Sequence, residues 1–333
     1  MNIKHFNARW IALSLFAFAV LIAQVGCQCA GTQQPALTAQ SLVVATPGDK
    51  PAPGQKLFSS DRAAAAALLA AVQEQNHHQL QLIFGPGIKA LASGDKVEDH
   101  RHFEQFVAHA KKRFQLKKEN PSTSIVLIGD KVWPFPIPIL RLPDGKWFFD
   151  TAAGKAEILA RRIGGDELEA INVCLNYVSA QRKYFSTTHD GSSIAQYAQL
   201  LASTPGKQNG LYWPATAGKQ QSPFSALAAQ ARAAGYSPGS HQGPHPFFGY
   251  YFHILTRQGA AAPGGAMNYI RDGSMVGGFA LIAYPDKYGA SGVMTFIVNQ
   301  QGQVYQKNLG LQTILLARNI RSYDPDNSWT PVK

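Results

Sequence analysis

Three short segments near the C-terminus, the apolar runs at residues 279–284 and 293–298 and the mixed run at residues 303–309, are separated by turn segments that contain glycine or proline. Apolar runs of this length, separated by such turns, are typical of β-hairpins. The pattern therefore predicts three antiparallel strands in a meander. A helical pattern at residues 312–320 follows the third strand, and we expect that helix to close the fold.

Helical periodicity predicts two helices in the first half of the chain. Ser59 or Ser60 can cap a helix that starts at Asp61, and an acid in the first turn suits the positive end of the helix dipole. A second helix is expected at residues 98–114, where phenylalanines recur at helical spacing.

Two β-elements follow these helices. Residues 125–128 form an apolar run that predicts a strand. Residues 137–149 predict a hairpin, because residues 143–145 (PDG) form a strong turn signal. Residues 133–138 carry a proline at every second position, which favours an extended edge segment.

A longer helix is predicted to start near Asp166, after a break at Gly164 and Gly165. Its apolar stripe follows the i, i+3, i+4, i+7 spacing of one helix face. The stripe consists of Ile171, Cys174, Leu175 and Val178. We therefore interpret Cys174 as a buried small hydrophobe rather than as a nucleophile.

Residues 191–250 are rich in Gly, Pro and Ser. Short helices are expected within them at residues 194–201 and 224–234. An aromatic run at residues 247–255 then predicts a strand.

Together these elements predict an α+β protein with two folded domains. Residues 57–164 form an N-terminal domain of helices and a hairpin, and residues 165–333 form a domain in which a long helix packs on an antiparallel meander. Residues 27–56 are rich in Pro, Gly, Thr and Gln and predict a flexible tether. A chain of 333 residues is long enough to bury two cores.

The first 26 residues have the pattern of a secretory signal peptide, in which cations precede a nearly uninterrupted apolar run at residues 10–25. Cys27 follows Gly26, as the lipidated cysteine of a bacterial lipoprotein follows a small residue. Lipidation at Cys27 is one alternative, and ordinary cleavage near Ala30 is the other. Both predict export to the periplasm, and lipidation would add a membrane anchor.

The formal net charge of the chain is +11, and it falls to +9 when two cations are removed with residues 1–26. Residues 181–333 carry twelve Lys and Arg, five Asp and no Glu. A basic exported protein meets anionic polymers of the envelope, so we expect such a polymer, or another envelope protein, as the partner. Nucleic acid is not expected there, and solubility without a specific anionic partner is the alternative.

Segments in much of the mature chain resemble a family of exported bacterial proteins known as domain of unknown function family 2950 (DUF2950). The matching segments are 133–136 (WPFP), 144–150 (DGKWFFD), 180–184 (AQRKY), 205–213 (PGKQNGLYW), 288–296 (YGASGVMTF) and 324–329 (DPDNSW). The family has no established activity, so the resemblance implies a compartment but no mechanism.

The second domain is also similar to the globular region of type IV pilins and pseudopilins. The similarity rests on the predicted helix at residues 166–185, on Gly249 and Tyr250, and on residues 278–280. It implies a helix packed on an antiparallel meander. A charged segment, residues 157–169, stands where pilins have the apolar helix half with which they polymerise, so no filament is expected. The first domain, by its order of helix and hairpin, is similar to cone-shaped domains of the nuclear-transport-factor-like type.

Histidines supply the candidate chemistry. His241 and His245 lie in a Gly- and Pro-rich loop, and His253 lies on the strand predicted after it. These three could form a zinc site or an acid–base site of a metal-assisted or hydrolytic enzyme, and a plain loop is the alternative. His102 and His109 share one face of their predicted helix, which we interpret as a solvated polar face.

Aromatic residues form the remaining candidate site. Tyr212, Trp213, Tyr250 and Tyr251 could stack on a sugar ring or line a partner's groove, and a place in the core is the alternative. The sequence has no serine-nucleophile elbow and no nucleotide-binding glycine motif, and no metal or cofactor is expected. The leading hypothesis is a non-enzymatic envelope scaffold or binding protein of unknown ligand, and the alternative is the histidine-based enzyme.

Overall fold

One long helix connects the two main sheets of the protein. The computed structural model describes residues 50–92, 96–216, 220–233 and 246–333. Its α-helices are α1 (Asp61–Gln73), α2 (His77–Phe84), α3 (Lys96–Lys112), α4 (Thr151–Phe185), α5 (Ser225–Ala233) and α6 (Thr313–Asn319), and its 3₁₀-helices are Pro86–Leu91 and Gly310–Gln312. Its strands are β1 (Phe114–Asn120), β2 (Thr123–Ile128), β3 (Trp133–Pro134), β4 (Ile139–Arg141), β5 (Trp147–Phe149), β6 (Leu200–Ala202), β7 (Gly210–Tyr212), β8 (Tyr250–Leu255), β9 (Arg257–Gln258), β10 (Met267–Asn268), β11 (Ile270–Arg271), β12 (Ser274–Met275), β13 (Ala280–Pro285), β14 (Met294–Asn299), β15 (Tyr305–Asn308) and β16 (Thr330–Pro331). Helices with mostly antiparallel strands confirm the predicted α+β class.

The first sheet has the strand order β1-β2-β4-β5, with β3 beside β2, and α1 and α2 pack against it. Helix α1 begins where the sequence predicts, because the Ser60 hydroxyl accepts a hydrogen bond from Ala63 N at 3.0 Å. The predicted hairpin is confirmed as β4 and β5, in which Ile139 pairs with Phe149.

Strand β1 is a feature that the sequence analysis missed. It lies at the edge of the first sheet and, among the described strands, pairs with β2 alone, with Phe114 opposite Ile128. Most of its residues are exposed, and it is rich in Lys, Glu and Gln. A charged edge strand discourages pairing with other chains. Because it is mostly polar, it lacks the alternation of apolar and polar residues by which strands are predicted.

Helix α4 is continuous over 35 residues, so the predicted helix start near Asp166 is wrong. The helix is capped at Asp150, whose carboxylate accepts a hydrogen bond from Ala153 N at 3.0 Å. Gly164 and Gly165 lie inside it, where each costs about 1 kcal/mol relative to alanine. Packing on the 3₁₀-helix before α3 and on β13 and β14 overrides this local cost. The predicted domain boundary at the glycine pair stays a prediction, and the described residues all belong to one compact unit.

The second sheet has the strand order β16-β15-β14-β13-β8, and α4 packs on β13 and β14. Hydrogen bonds of two α4 side chains fix the helix to the sheet. Tyr177 Oη donates a hydrogen bond to Ala280 O at 3.1 Å. Glu167 Oε1 accepts hydrogen bonds from Val293 N at 2.9 Å and Met294 N at 3.0 Å. The long helix on an antiparallel meander is thereby confirmed, with β13, β14 and β15 as the three predicted strands.

The face that α4 turns to the sheet differs slightly from the predicted stripe. Cys174 is fully buried, as predicted, and burial raises the pKa of its thiol to about 12. Leu175, however, is 46% exposed. The buried face includes Tyr177, which binds Ala280 of the sheet, and Gln181, and it lies to one side of Leu175.

The helix predicted at residues 194–201 is wrong. Those residues are irregular up to β6, which pairs in parallel with β7. The buried Gln181 side chain accepts a hydrogen bond from Ala198 N and donates one to Ala198 O, both at 2.8 Å. A side chain thus satisfies the peptide groups that a helix would have used.

Candidate ligand-binding cleft

A cleft of about 640 Å³ lies between α2, α3, α4 and the segment that begins with β3. Its floor consists of the buried side chains of Leu80, Phe84, Ile128 and Ile137. Its size falls within the range of about 300–1,000 Å³ that is typical of small-molecule sites.

Half-buried aromatic rings form the walls of the cleft. Phe135 stacks on Phe106, with ring centroids 5.0 Å apart, and lies 6.1 Å from the ring of Phe84. Nearer the mouth, the His77 ring lies 5.3 Å from Phe103. Such surfaces suit an apolar body that can lie flat against rings.

The proline-rich segment after β2 gives this wall its shape. Phe135 N donates a hydrogen bond to Val126 O at 2.7 Å, which holds the segment beside β2. Pro136 and Pro138 have no N–H, so the segment cannot continue as a regular ladder. Phe135 and Ile137, two residues apart, both line the cleft.

Helix α4 supplies the opposite wall. Ile158, Arg162, Gly165 and Glu169 recur at helical spacing and all line the cleft. A Cβ added at Gly165 would meet no heavy atom of the described residues within 4 Å. Glycine therefore leaves open space at this wall of the cleft, which a larger side chain would fill.

Charged side chains surround the mouth. Arg161 donates hydrogen bonds to Glu157 at 2.7 Å and to Pro134 O at 2.9 Å, so its guanidinium is occupied. Arg162 donates to Leu91 O at 2.7 Å, which leaves its charge without a carboxylate among the ion pairs of the described residues.

Arg101 contributes a second guanidinium to the lining. Its Nε is buried, and within the described part of the chain it has no hydrogen-bond partner. A buried donor without a partner is uncommon in folded proteins, and it is one that a bound acceptor could satisfy.

The surroundings of His102 at the mouth of the cleft lower the pKa of its imidazole. Desolvation and then the charges of Arg101 and Arg162 lower the pKa of His102, and the charge of Asp99 opposes them. Two nearby cations thus act on an imidazole that stands at the mouth with its side chain exposed. The acids Asp166 and Glu169 lie further along α4, towards Phe248.

The predicted histidine site is only partly within the described residues. His241 and His245 lie outside them, as does Cys27. His253 lies on β8 with its side chain exposed, and desolvation and the charge of Arg321 lower its pKa. Among the described residues no group of three or more His, Cys, Asp or Glu side chains could hold a metal ion.

The predicted aromatic surface is divided by the structure. Trp213 and Tyr250 are buried, so they belong to the core. Trp213 Nε1 donates to Gln220 O at 3.2 Å, and Tyr250 Oη donates to Met294 O at 2.9 Å. Tyr212 and Tyr251 are half-buried, and their role as a binding surface stays a prediction.

The sequence did not predict that these residues form one cleft. His102 and His109 do share a face, and that face lines the cleft rather than open solvent alone. The signals were the phenylalanines at helical spacing in α3 and the alternate prolines after β2, each noted separately. No pattern in the sequence indicates that either segment lies near Arg162 of α4.

Residues 133–136, one of the segments by which the chain resembles DUF2950, line the cleft, whereas two other such segments make structural contacts. Gln181 fixes Ala198, as described above, and Tyr184 Oη donates to Gln208 O at 2.8 Å. Asp324 accepts a hydrogen bond from Ala261 N at 2.8 Å. Two of these contacts tie loops to α4 and the third ties Ala261 to the C-terminal segment, far along the chain from the cleft-lining helices α2 and α3.

None of the described helices is both long and apolar enough to cross a membrane. A search of the curated proteins found no match, and neither did a search of the solved structures. Residues 55–332 match the family model described as "Protein of unknown function (DUF2950)". Because this match spans most of the chain, the protein belongs to the DUF2950 family.

Proposed function

We propose that the protein is an exported, non-enzymatic binding protein, and that its cleft holds one molecule with an apolar body and a single anionic group. The observation that carries the proposal is an apolar, aromatic-walled cleft with two guanidinium groups at its mouth that no carboxylate of the described residues pairs.

The apolar body is supported by the floor and walls of the cleft. Leu80, Phe84 and Ile137 are buried side chains that face an open volume of about 640 Å³. Each methylene group that a ligand buries there contributes about 0.8 kcal/mol. A saturated chain of roughly a dozen carbons would fit this volume and gain enough to bind measurably.

The anionic group is supported by the arrangement of charge. Arg101 and Arg162 come from two different helices and act in the same direction on His102. A carboxylate between them could accept charge-assisted hydrogen bonds from both, including one from the buried Nε of Arg101. The acids further along α4 favour one negative charge over several.

Export is supported by the sequence of residues 1–26, and a lipid anchor at Cys27 remains part of the proposal. The basic excess of residues 181–333 supports an anionic polymer of the envelope as a neighbour of the protein. Holding an amphipathic molecule would suit a protein that works beside a membrane.

Calorimetric titration of the full chain with dodecanoate, below its micelle concentration, tests the proposal. We expect saturable binding at one site, weaker binding of dodecan-1-ol, and loss of both on Gly165→Leu. Gly164→Leu is the matched control, since a Cβ at either glycine meets no heavy atom of the described residues within 4 Å, but only Gly165 lines the cleft. Absence of binding, or equal binding by the two variants, would refute a cleft ligand. Equal affinity for the acid and the alcohol would refute only the anionic group.

A further inference from the structure

Three leucines near the C-terminus are exposed together. Leu311, Leu315 and Leu316 are 90%, 61% and 42% exposed. Leu315 and Leu316 lie in α6, and Leu311 lies in the 3₁₀-helix Gly310–Gln312 that directly precedes it. Thr313 and Ala317, on the other side of α6, are buried, and the helix packs on β13. Leu315 and Leu316 are therefore held in place on a packed helix, and Leu311 lies directly before it.

Cations border this leucine patch. Arg318 and Arg321 are exposed, and neither belongs to an ion pair among the described residues. Desolvation raises the pKa of Tyr251, with Asp286 acting in the same direction and the charge of Arg318 against it, which places Arg318 close to Tyr251. The charge of Arg321 likewise reaches His253.

We propose that the leucine patch, together with Arg318 and Arg321, docks on the surface of an anionic phospholipid bilayer. Exposed leucines beside cations are typical of segments that lie in the interface of a membrane. Each arginine near an anionic surface adds to the attraction. Helix α6 has seven residues, so it would lie on the membrane rather than cross it.

A second copy of the chain is the less favourable occupant. A two-fold interface brings the same patch of both copies together, so Arg318 and Arg321 would face their own counterparts. Like charges in a shared interface destabilise it, whereas anionic headgroups would neutralise them.

Another pair of exposed leucines supplies a matched control. Leu168 and Leu175 of α4 are 61% and 46% exposed, much like Leu315 and Leu316. Leu168 stands between Glu167 and Glu169, so its surroundings are acidic rather than basic. A bilayer with negative headgroups should not attract that side of the protein.

The test uses the full chain with Cys27→Ser and Cys29→Ser, and an environment-sensitive fluorophore on Leu311→Cys or on Leu168→Cys. Vesicles contain phosphatidylglycerol and phosphatidylcholine in equal amounts, or phosphatidylcholine alone. We expect a blue shift at position 311 with the anionic vesicles only, and none at position 168. Arg318→Gln with Arg321→Gln should weaken binding to the anionic vesicles by roughly 30-fold.

Several outcomes would overturn the proposal. No shift at position 311, or an equal shift at both positions, would show that the leucine patch does not enter the bilayer. A shift with rising protein concentration in the absence of vesicles would assign the patch to a second copy. The residues outside the described part affect both labelled proteins equally, so they cannot produce a difference between the two positions.

Discussion

Gly154 of α4 packs so closely against Ile137 that a Cβ added at Gly154 would lie 2.9 Å from Ile137 Cβ and 3.0 Å from its Cα. Real Cβ atoms do not approach other atoms so closely. Because Ile137 forms part of the cleft floor and α4 forms one wall, this contact fixes the distance between the two.

Gly154→Ala should therefore destabilise the protein, although alanine is the better helix former. Overpacking of this kind costs about 1–3 kcal/mol, and urea unfolding of the full chain measures it. Gly164→Ala, in the same helix with open space around it, should stabilise by up to about 1 kcal/mol. If Gly154→Ala and Gly164→Ala change the free energy of unfolding equally, the close packing of Gly154 against Ile137 is contradicted.

Arg101→Met should weaken dodecanoate binding by about tenfold or more and leave dodecan-1-ol binding nearly unchanged. A hydrogen bond to a charged group contributes about 1.5–3 kcal/mol, whereas methionine keeps much of the apolar volume. Calorimetric titration with the two ligands gives the comparison.

Arg161→Met is the control for this experiment, because Glu157 and Pro134 O already occupy the Arg161 guanidinium. We expect a smaller loss of dodecanoate affinity from it. If both ligands lose affinity equally on Arg101→Met, Arg101 shapes the cleft and does not bind the carboxylate of dodecanoate.

The antiparallel meander and the start of α1 could be predicted because their signals are local. Strands β13 and β14 are apolar runs beside turns, β15 follows the next turn, and Ser60 stands directly before an alanine-rich helix. The continuity of α4 could not be predicted, since Gly164 and Gly165 are a local signal for a break and only packing at both ends of the helix overrides it. The cleft could not be predicted, because Arg101 and Arg162, which both line it, are far apart in the chain.

The imidazole of His102 should titrate below the ordinary histidine pKa of about 6.5 in the free protein. Asp99 and Arg101 of α3 and Arg162 of α4 are the charged groups that act on it. Because the unfolded chain then binds more protons between the two pKa values, stability falls as the pH drops below about 6.5. NMR titration of the ring protons measures the pKa.

His102→Gln should make the acid side of the stability curve shallower. His253, whose pKa is also lowered, contributes a slope in the same direction, so His253→Gln is the comparison. Dodecanoate in the cleft should raise the pKa of His102 and leave that of His253 unchanged. A normal pKa for His102 in the free protein would contradict both its desolvation and the effect of the Arg101 and Arg162 charges on it.

Cys174 should not react with thiol reagents in the folded protein. It is fully buried, and burial raises the pKa of the thiol to about 12, so almost no thiolate forms at neutral pH. With Cys27→Ser and Cys29→Ser it is the sole thiol of the chain. Ellman's reagent should react with it only after urea is added, and rapid reaction without urea would show that α4 opens readily from the sheet.

Glu167→Ala should destabilise the protein by about 1–3 kcal/mol in urea unfolding, because Glu167 Oε1 accepts hydrogen bonds from Val293 N and Met294 N at the start of β14. Without the carboxylate, two part-buried backbone donors lose their acceptor. Glu167→Gln keeps an acceptor oxygen and should cost less. Glu157→Ala is the control on the same helix, since its ion pair with Arg161 is exposed and contributes about 0–1 kcal/mol. If both alanine substitutions have the same small effect, Glu167 does not fix α4 to the second sheet, and Tyr177 and its neighbours hold the helix there alone.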